Sequence, residues 1–454
     1  MEGLISDLQT LIRQPSISAK KQGLVHCANI VADIMEKAGI KCEVLYLNNS
    51  HSEIDDKNDL PPPIVYGEIK SKSNPNGKTI LFYNHYDVQP VDPIDLWNDD
   101  PFSGKVDGNN IFGRGSADDK GELITRIKAV ECYLKETGDV PCNVKFIVEG
   151  EEEIGSKHIE DYLIKYKQKL ECDGVIWEFG YIDEKDTPII SLGMKGLLYV
   201  ELIAKGPTRD AHSSLAVLIE NPAWHLVRAL NTMRDKNGKI LIKGWYREVR
   251  KFTPEELYVI SNEPFDEQEF KKEYGIHRFV NGSTGLEVVK AFVGMPTCNI
   301  AGMASGYTDE GAKTVLPARA IAKIDFRLVP NMVPEKQFKR LKNHLKENGF
   351  GDDEIEVKLI HGEAAARTSV CDPFVKEVEE AAKEIFGRVI ISVSSAGTGP
   401  MYSFVKVLKS PCISIGSTYI YARIHSPNEF ARIDLLNKAT KCIGNIIEKF
   451  AESK

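Results

Sequence analysis

The chain has 454 residues, of which 42% are hydrophobic and 27% charged, with a formal net charge of −8. One hydrophobic core rarely grows past about 250–300 residues, so this length calls for two domains. The acidic balance argues against a nucleic-acid partner or an anionic membrane surface, and no apolar run is long enough to span a bilayer.

Residues 1–12 lack the basic and apolar regions of a secretory signal. Leu4, Ile5, Leu8, Leu11 and Ile12 instead share a helical face, which predicts a helix over 2–13. A second helix is expected near 22–38 and a strand over 41–47. The acidic segment 49–60 reads as an exposed loop. Strands follow near 65–69 and 78–83, then a long loop rich in Pro, Gly and Asp that runs to Gly121. A helix over 122–133, a strand over 143–148, a helix near 156–169 and a strand over 174–177 come next. Strands alternating with helices imply a largely parallel sheet covered on both faces.

The pattern changes after Gly196. A strand over 197–204, a helix near 221–234, strands near 297–303 and 321–328, a helix near 334–348 and a strand over 355–360 make a β-α-β-β-α-β order. That is the ferredoxin-like arrangement of a compact domain. It carries a polar insertion near 244–290. The earlier pattern then resumes with a helix near 373–386, strands near 388–393 and 411–415, and a helix near 434–451. The expected organisation is a first domain formed by 1–194 and 370–454, interrupted by an inserted domain over 195–369.

The nine cysteines, at 27, 42, 132, 142, 172, 298, 371, 412 and 442, include no Cys-x-x-Cys pair. A dispersed, odd set suits a reducing compartment and gives no thiolate metal site, so a cytoplasmic protein is expected.

Ligands of open α/β sheets bind beyond the carboxyl ends of the strands. His85 follows one strand, Glu151-Glu152-Glu153 another, Glu178 a third, and His425 lies past a fourth. Asp118-Asp119 precedes a helix. Singly, each has a plain alternative: a capped histidine, a solvated acidic face, a helix cap. Together, histidine and carboxylate without sulfur suit a hydrolytic metal site. Asp118, Glu153 and Glu178, with one hydroxide, would balance two divalent ions. Asp87, two residues beyond His85, is suited to hold the imidazole's other nitrogen.

In this light the motifs His85-Tyr-Asp87-Val-Gln-Pro90, Gly113-Arg-Gly-Ser-Ala-Asp-Asp-Lys-Gly121, Glu151-Glu-Glu-Ile-Gly-Ser156, Ala211-His-Ser213, Arg327-Leu-Val-Pro-Asn331 and His425-Ser426 are read as a set. In order and spacing the chain resembles the co-catalytic zinc metallopeptidases that include aminoacylase, carnosinase, acetylornithine deacetylase and succinyl-diaminopimelate desuccinylase. Asp-Val-Gln-Pro and Arg-Leu-Val-Pro-Asn look most like the cytosolic non-specific dipeptidase branch. The resemblance implies a zinc exopeptidase-like catalytic domain with an inserted lid and dimerisation domain, and hence a homodimer. It implies Asp118 as the ligand shared by two metals, His85 and Glu178 on one, Glu153 and His425 on the other, and a cis peptide between Asp118 and Asp119. Glu152 would be the general base for a water between the metals, and Asp87 the orienter of His85. His212 would reach a partner's active site and stabilise the oxyanion, and Arg327 would hold the substrate carboxylate.

Each of these has a local alternative too. By itself His212 reads as a turn or cap residue and Arg327 as a solvated strand end. His361 is a substrate contact or a loop residue. Gly397-Thr-Gly-Pro400 lacks the Lys-Ser/Thr of a phosphate loop and reads as a pocket wall. The metals expected are two zinc ions, with manganese or cobalt as alternatives. The expected substrates are dipeptides or short peptides, and the alternative is N-acyl amino acids, favoured by a glutamate rather than an aspartate at 178.

Overall fold

The computed structural model describes residues 2–47 and 60–453. Apart from Leu60, the segment 49–60 expected as an acidic loop lies outside them. The chain divides into two compact units, Met1–Gly193 with Arg367–Val393 and Gly399–Lys454, and Met194–Ala366 with Ser394–Thr398. The sequence pattern places the return to the first unit near residue 370. In the structure residues 367–393 already pack within that unit, and the short loop 394–398 packs within the second.

The first unit is built on a mixed eight-stranded sheet in the order Lys41–Leu45, Ile64–Ile69, Asn143–Glu149, Thr79–His85, Gly174–Trp177, Cys412–Ser414, Ile189–Ser191 and Ile390–Ser392. Its four central strands are mutually parallel. Their carboxyl ends therefore share one edge, and the residues that follow them are delivered to the same place. The strands read as near-continuous apolar runs because both faces are covered. Ile80, Phe82, Val144, Phe146, Ile176 and Ile413 join one cluster with the helices Glu2–Arg13, Leu24–Lys37, Lys120–Thr137, Pro373–Phe386 and Ile433–Glu452. Successive side chains of a strand point to opposite faces. Tyr83 and Trp177 accordingly pack on the other side, against Phe404 of the helix Met401–Leu408.

Three features of this unit differ from the expectation. The helix expected over 156–169 is broken into Ile159–Lys165 and Lys167–Leu170. The loop before Gly121 holds a hairpin, Lys105–Asp107 with Asn110–Phe112, to which Phe430–Arg432 adds a third strand. The helix Met401–Leu408 was not expected, since eight residues of mixed apolar and polar character fit strand and helix periods equally.

The second unit has a four-stranded antiparallel sheet in the order Asn299–Ser305, Arg319–Leu328, Gly196–Lys205 and Ile355–Glu363. With the helices Pro222–Asn231 and Pro334–Glu347 it has the ferredoxin-like order read from the sequence. Burial alternates along Gly196–Lys205 and Arg319–Leu328, so one face is core and the other is not. Leu198, Val200, Leu202, Ile324, Phe326 and Trp245 centre that core. The polar insertion holds three helices, Pro254–Asn262, Glu267–Glu273 and Leu286–Gly294, the first started by a Thr253/Glu256 capping box. Among the described residues no helix is long and apolar enough to cross a membrane.

Candidate metal centre

His85 is the last residue of its strand and its side chain is fully buried. Its Nδ1 lies 3.0 Å from the main-chain carbonyl of Asp87 and 3.4 Å from the Asp87 carboxylate. Asp87 thus meets the His85 imidazole with its backbone as well as its side chain. Asp87 spends its carboxylate elsewhere too, accepting from the amides of Glu152 and Glu153, each at 3.1 Å. One aspartate thereby ties the His85 strand end to the acidic turn.

The Nε2 of His85 faces Asp118 Oδ1 at 3.0 Å and Glu178 Oε2 at 3.9 Å. The other Asp118 oxygen, Oδ2, lies 3.1 Å from Nε2 of His425, which is 3.2 Å from Glu153 Oε2. Asp118, Glu153 and His425 offer donor atoms within 4.8 Å of one another. His425 is half-exposed and holds a positive φ of 58°. Glu178 directly follows its strand, and its Oε2 is buried without a hydrogen-bond partner among the described residues. Asp118 and Asp119 are joined by a cis peptide bond.

These distances and charges test whether the residues suit metal ions. The acids Asp87, Asp118, Asp119, Glu152, Glu153 and Glu178 outnumber the cations among them, and an uncompensated buried carboxylate is costly. Burial, and then mutual repulsion, pushes Glu152 and Glu178 well above the usual carboxylate range; Glu153 is raised for the same reasons. His425 is raised to about 10 by hydrogen bonds to Asp118 and Glu153. Burial opposes charge on His85, yet its hydrogen bonds to Asp118 and Asp87 raise it well above the ordinary imidazole value. Divalent cations would satisfy the same oxygens and nitrogens that burial, mutual repulsion and these hydrogen bonds otherwise drive toward protonation. An orphaned Glu178 oxygen aimed at His85, and a donor set of imidazole and carboxylate, fit such ions.

Several supporting residues were given no role at the site from the sequence. Gln89, inside the Asp-Val-Gln-Pro motif, donates to Glu153 Oε2 at 2.9 Å. Asp119 accepts from Asn84 Nδ2 at 2.7 Å and from the His85 amide at 3.1 Å. Arg126, fully buried on the helix Lys120–Thr137, donates to the carbonyls of Tyr83, Trp177 and Glu178 and to Asn84 Oδ1. Only the 3.6-residue period of that helix points Arg126 inward, and a charged residue on an inward face is read as an exception until its partners are seen.

The remaining candidates lie in the second unit. His212 is exposed; its Nδ1 lies 2.8 Å from Ser214 Oγ and accepts from the Ser214 amide, so it caps the short turn Ser213–Val217. Arg327 is partly buried and donates from Nη1 to Thr398 Oγ1 at 2.6 Å, which brings it beside Gly397. The Gly397 carbonyl accepts from the Lys195 amide at 3.0 Å. His361 sits within a strand opposite Tyr199, so the loop alternative is corrected: the strand runs to Glu363, not to residue 360.

The model of peptidase family M20/M25/M40 matches residues 81–449. The chain belongs to this family. It is a metal-dependent hydrolase of the dipeptidase-like branch. It is 33% identical to the Cys-Gly metallodipeptidase dug1 of Schizosaccharomyces pombe over 353 residues, 75% of this chain and 72% of that protein. It is 28% identical to the human beta-Ala-His dipeptidase over 423 residues, 90% of this chain and 81% of that one. Among solved structures it is similar to the M20 family metallo-carboxypeptidase Sso-CP2 from Sulfolobus solfataricus, with a TM-score of 0.90 and 40% identity, covering 99% of this chain and 100% of that one.

Proposed function

We propose that the protein is a two-zinc exopeptidase that hydrolyses the amide bond of dipeptides or short peptides next to a free carboxylate. The observation that carries this reading is Asp118, which presents one oxygen to His85 and the other to His425 at the carboxyl edge of a parallel sheet. Dipeptidases and a carboxypeptidase among its relatives share one demand, a substrate whose scissile bond lies near its C-terminus, and so support the same reading.

His85 and Glu178 would hold one ion and Glu153 and His425 the other, with Asp118 between them. Such ions, when bound, polarise the scissile carbonyl and make water acidic enough to attack at neutral pH. Glu152 stands one residue from Glu153 on the same turn and needs no role as a ligand. As general base it takes a proton from the attacking water and returns it to the leaving amine. A carboxyl whose proton affinity is raised by burial can do both. Arg327 offers a guanidinium fork to the substrate carboxylate. His212 stabilises the oxyanion in a partner's site, in a homodimer formed through the inserted domain. Exposed apolar side chains close to it in sequence, Val217, Leu218 and Trp224, support a surface that a second copy covers. His361 and Gly397 would line the substrate site. Nine free thiols support a cytoplasmic location.

The second reading, an N-acyl amino acid deacylase, is favoured by the glutamate at 178. One experiment decides: metal content, and turnover of dipeptides against acetyl and succinyl amino acids, for loaded and chelated protein. Two ions per chain and dipeptide turnover that chelation abolishes are expected. A clear preference for acetyl or succinyl substrates would overturn the dipeptidase reading.

A further inference from the structure

We infer that Glu429 is a positioning residue of the metal centre: its carboxylate clamps the main chain of residues 113–118 and so sets where the Asp118 side chain stands relative to His425. The inference rests on the proposed roles of Asp118 and His425 as ligands.

Glu429 is fully buried. Its Oε2 accepts from Arg114 Nη1 at 2.6 Å and from the Gly115 amide at 3.1 Å. Its Oε1 accepts from the Ala117 amide at 3.0 Å and from the Asp118 amide at 3.1 Å. Its main-chain carbonyl accepts from the Gly113 amide at 3.0 Å. One residue thus gathers donors from the whole approach to Asp118.

The same residue stands four positions beyond His425, and the next, Phe430, pairs with Phe112 in the small antiparallel sheet. The two segments that carry His425 and Asp118 are therefore locked in register by a strand pair and then by the Glu429 carboxylate. Arg114 extends the clamp, donating from Nη2 to the carbonyl of Pro90, at the end of the His85–Pro90 motif. Glu429 touches neither metal-facing oxygen of Asp118 and acts only through its backbone.

The chemistry demands a glutamate. Four N–H donors converge on two oxygens, and a carboxylate accepts on both without turning a donor toward any of them. In Glu429→Gln the amide NH2 would face two of those donors, breaking two of the four hydrogen bonds and displacing the loop. Glu429→Asp keeps both acceptors but shortens the reach by one methylene. Loss of a partner that orients a metal ligand typically costs about 10–100-fold in metal affinity or activity.

The test compares wild type, Glu429→Gln, Glu429→Asp and, as reference, His425→Ala. Zinc affinity is read by competition with a chromophoric chelator, stability by thermal unfolding of the metal-free proteins, and turnover as separate kcat and KM on a dipeptide. For Glu429→Gln a zinc affinity weaker by about 10–100-fold is expected, with kcat lowered and KM little changed, and Glu429→Asp should recover part of both. A Glu429→Gln protein that melts earlier without metal yet binds zinc and turns over as wild type does would overturn the inference, since the clamp would then serve the fold alone. If Glu429→Gln does not fold, Glu429→Asp decides by the same two readouts, wild-type values overturning the inference. Wild-type zinc affinity in His425→Ala would instead remove the ligand reading beneath it.

Discussion

Arg126 donates from Nη2 to the main-chain carbonyl of Glu178 at 2.5 Å, fixing from behind a residue whose own Oε2 has no hydrogen-bond partner among the described residues. The same guanidinium holds the carbonyl of Tyr83 and the amide oxygen of Asn84, just before His85. A planar fork with five donors spans two adjacent strand ends, which an ammonium point charge does not. Arg126→Lys is therefore expected to lower stability by about 2–4 kcal/mol, because buried carbonyls lose their donors. It should also weaken metal binding. Chemical unfolding and a metal titration of the variant check both.

Glu152→Gln keeps the shape of the acidic turn and removes the proposed base. The Glu152 and Glu153 amides still reach Asp87, so the ligands stay in place. Metal content is expected to match wild type while kcat falls by about 10²–10⁴-fold. A fully loaded variant with wild-type turnover would show that the proton is carried by another group.

The metal-free protein should respond to pH in one sense. Glu152 and Glu178 bind protons more tightly folded than unfolded because burial raises them, as does His425, raised to about 10. A group whose folded pKa is raised contributes stability that is present at low pH and lost as pH climbs through the folded value. Asp118, lowered by its two histidines against the opposing effect of burial, acts in the opposite sense only far below neutrality. The metal-free melting temperature should therefore fall between about pH 6 and about pH 9, and that of the loaded protein should fall less. Metal binding must expel those protons, so calorimetry in buffers of different ionisation enthalpy should show proton release, and affinity should rise with pH. A metal-free melting temperature that climbs over this range contradicts the account.

His212 distinguishes a dimeric active site from a self-contained one. His212→Ala is expected to reduce kcat by about 10²–10³-fold, the usual effect of losing one oxyanion donor. Mixing it with Glu152→Gln under conditions of subunit exchange should restore activity well above either parent, because each mixed dimer then holds one intact site. Activity that stays at the sum of the two parents would place His212 in its own chain's site, or in the cap that its Nδ1 already makes with Ser214.

Much of this protein is local and therefore legible in its sequence. Apolar runs of four to seven residues such as Gly174–Trp177 and Thr79–His85 declare strands, and a ligand residue directly after a strand in a parallel sheet must fall on the shared edge. That logic brings the candidates His85, Glu153 and Glu178 to one edge from residue order, while His425, eleven residues past Ser414, joins them only through its motif, and the second sheet is legible from its order of elements. The sequence does not determine which distant groups satisfy a buried charge. Glu429 meets Gly115, Ala117 and Asp118 from more than three hundred positions away, and Arg126 meets carbonyls of two strands. No periodicity encodes those pairings, since a carbonyl or amide is present at every position and only the packed chain selects which one is near. The residue types proposed to hold the metals follow from chemistry and order; the hydrogen bonds that hold those residues still exist only once strand pairing has brought remote backbone into reach.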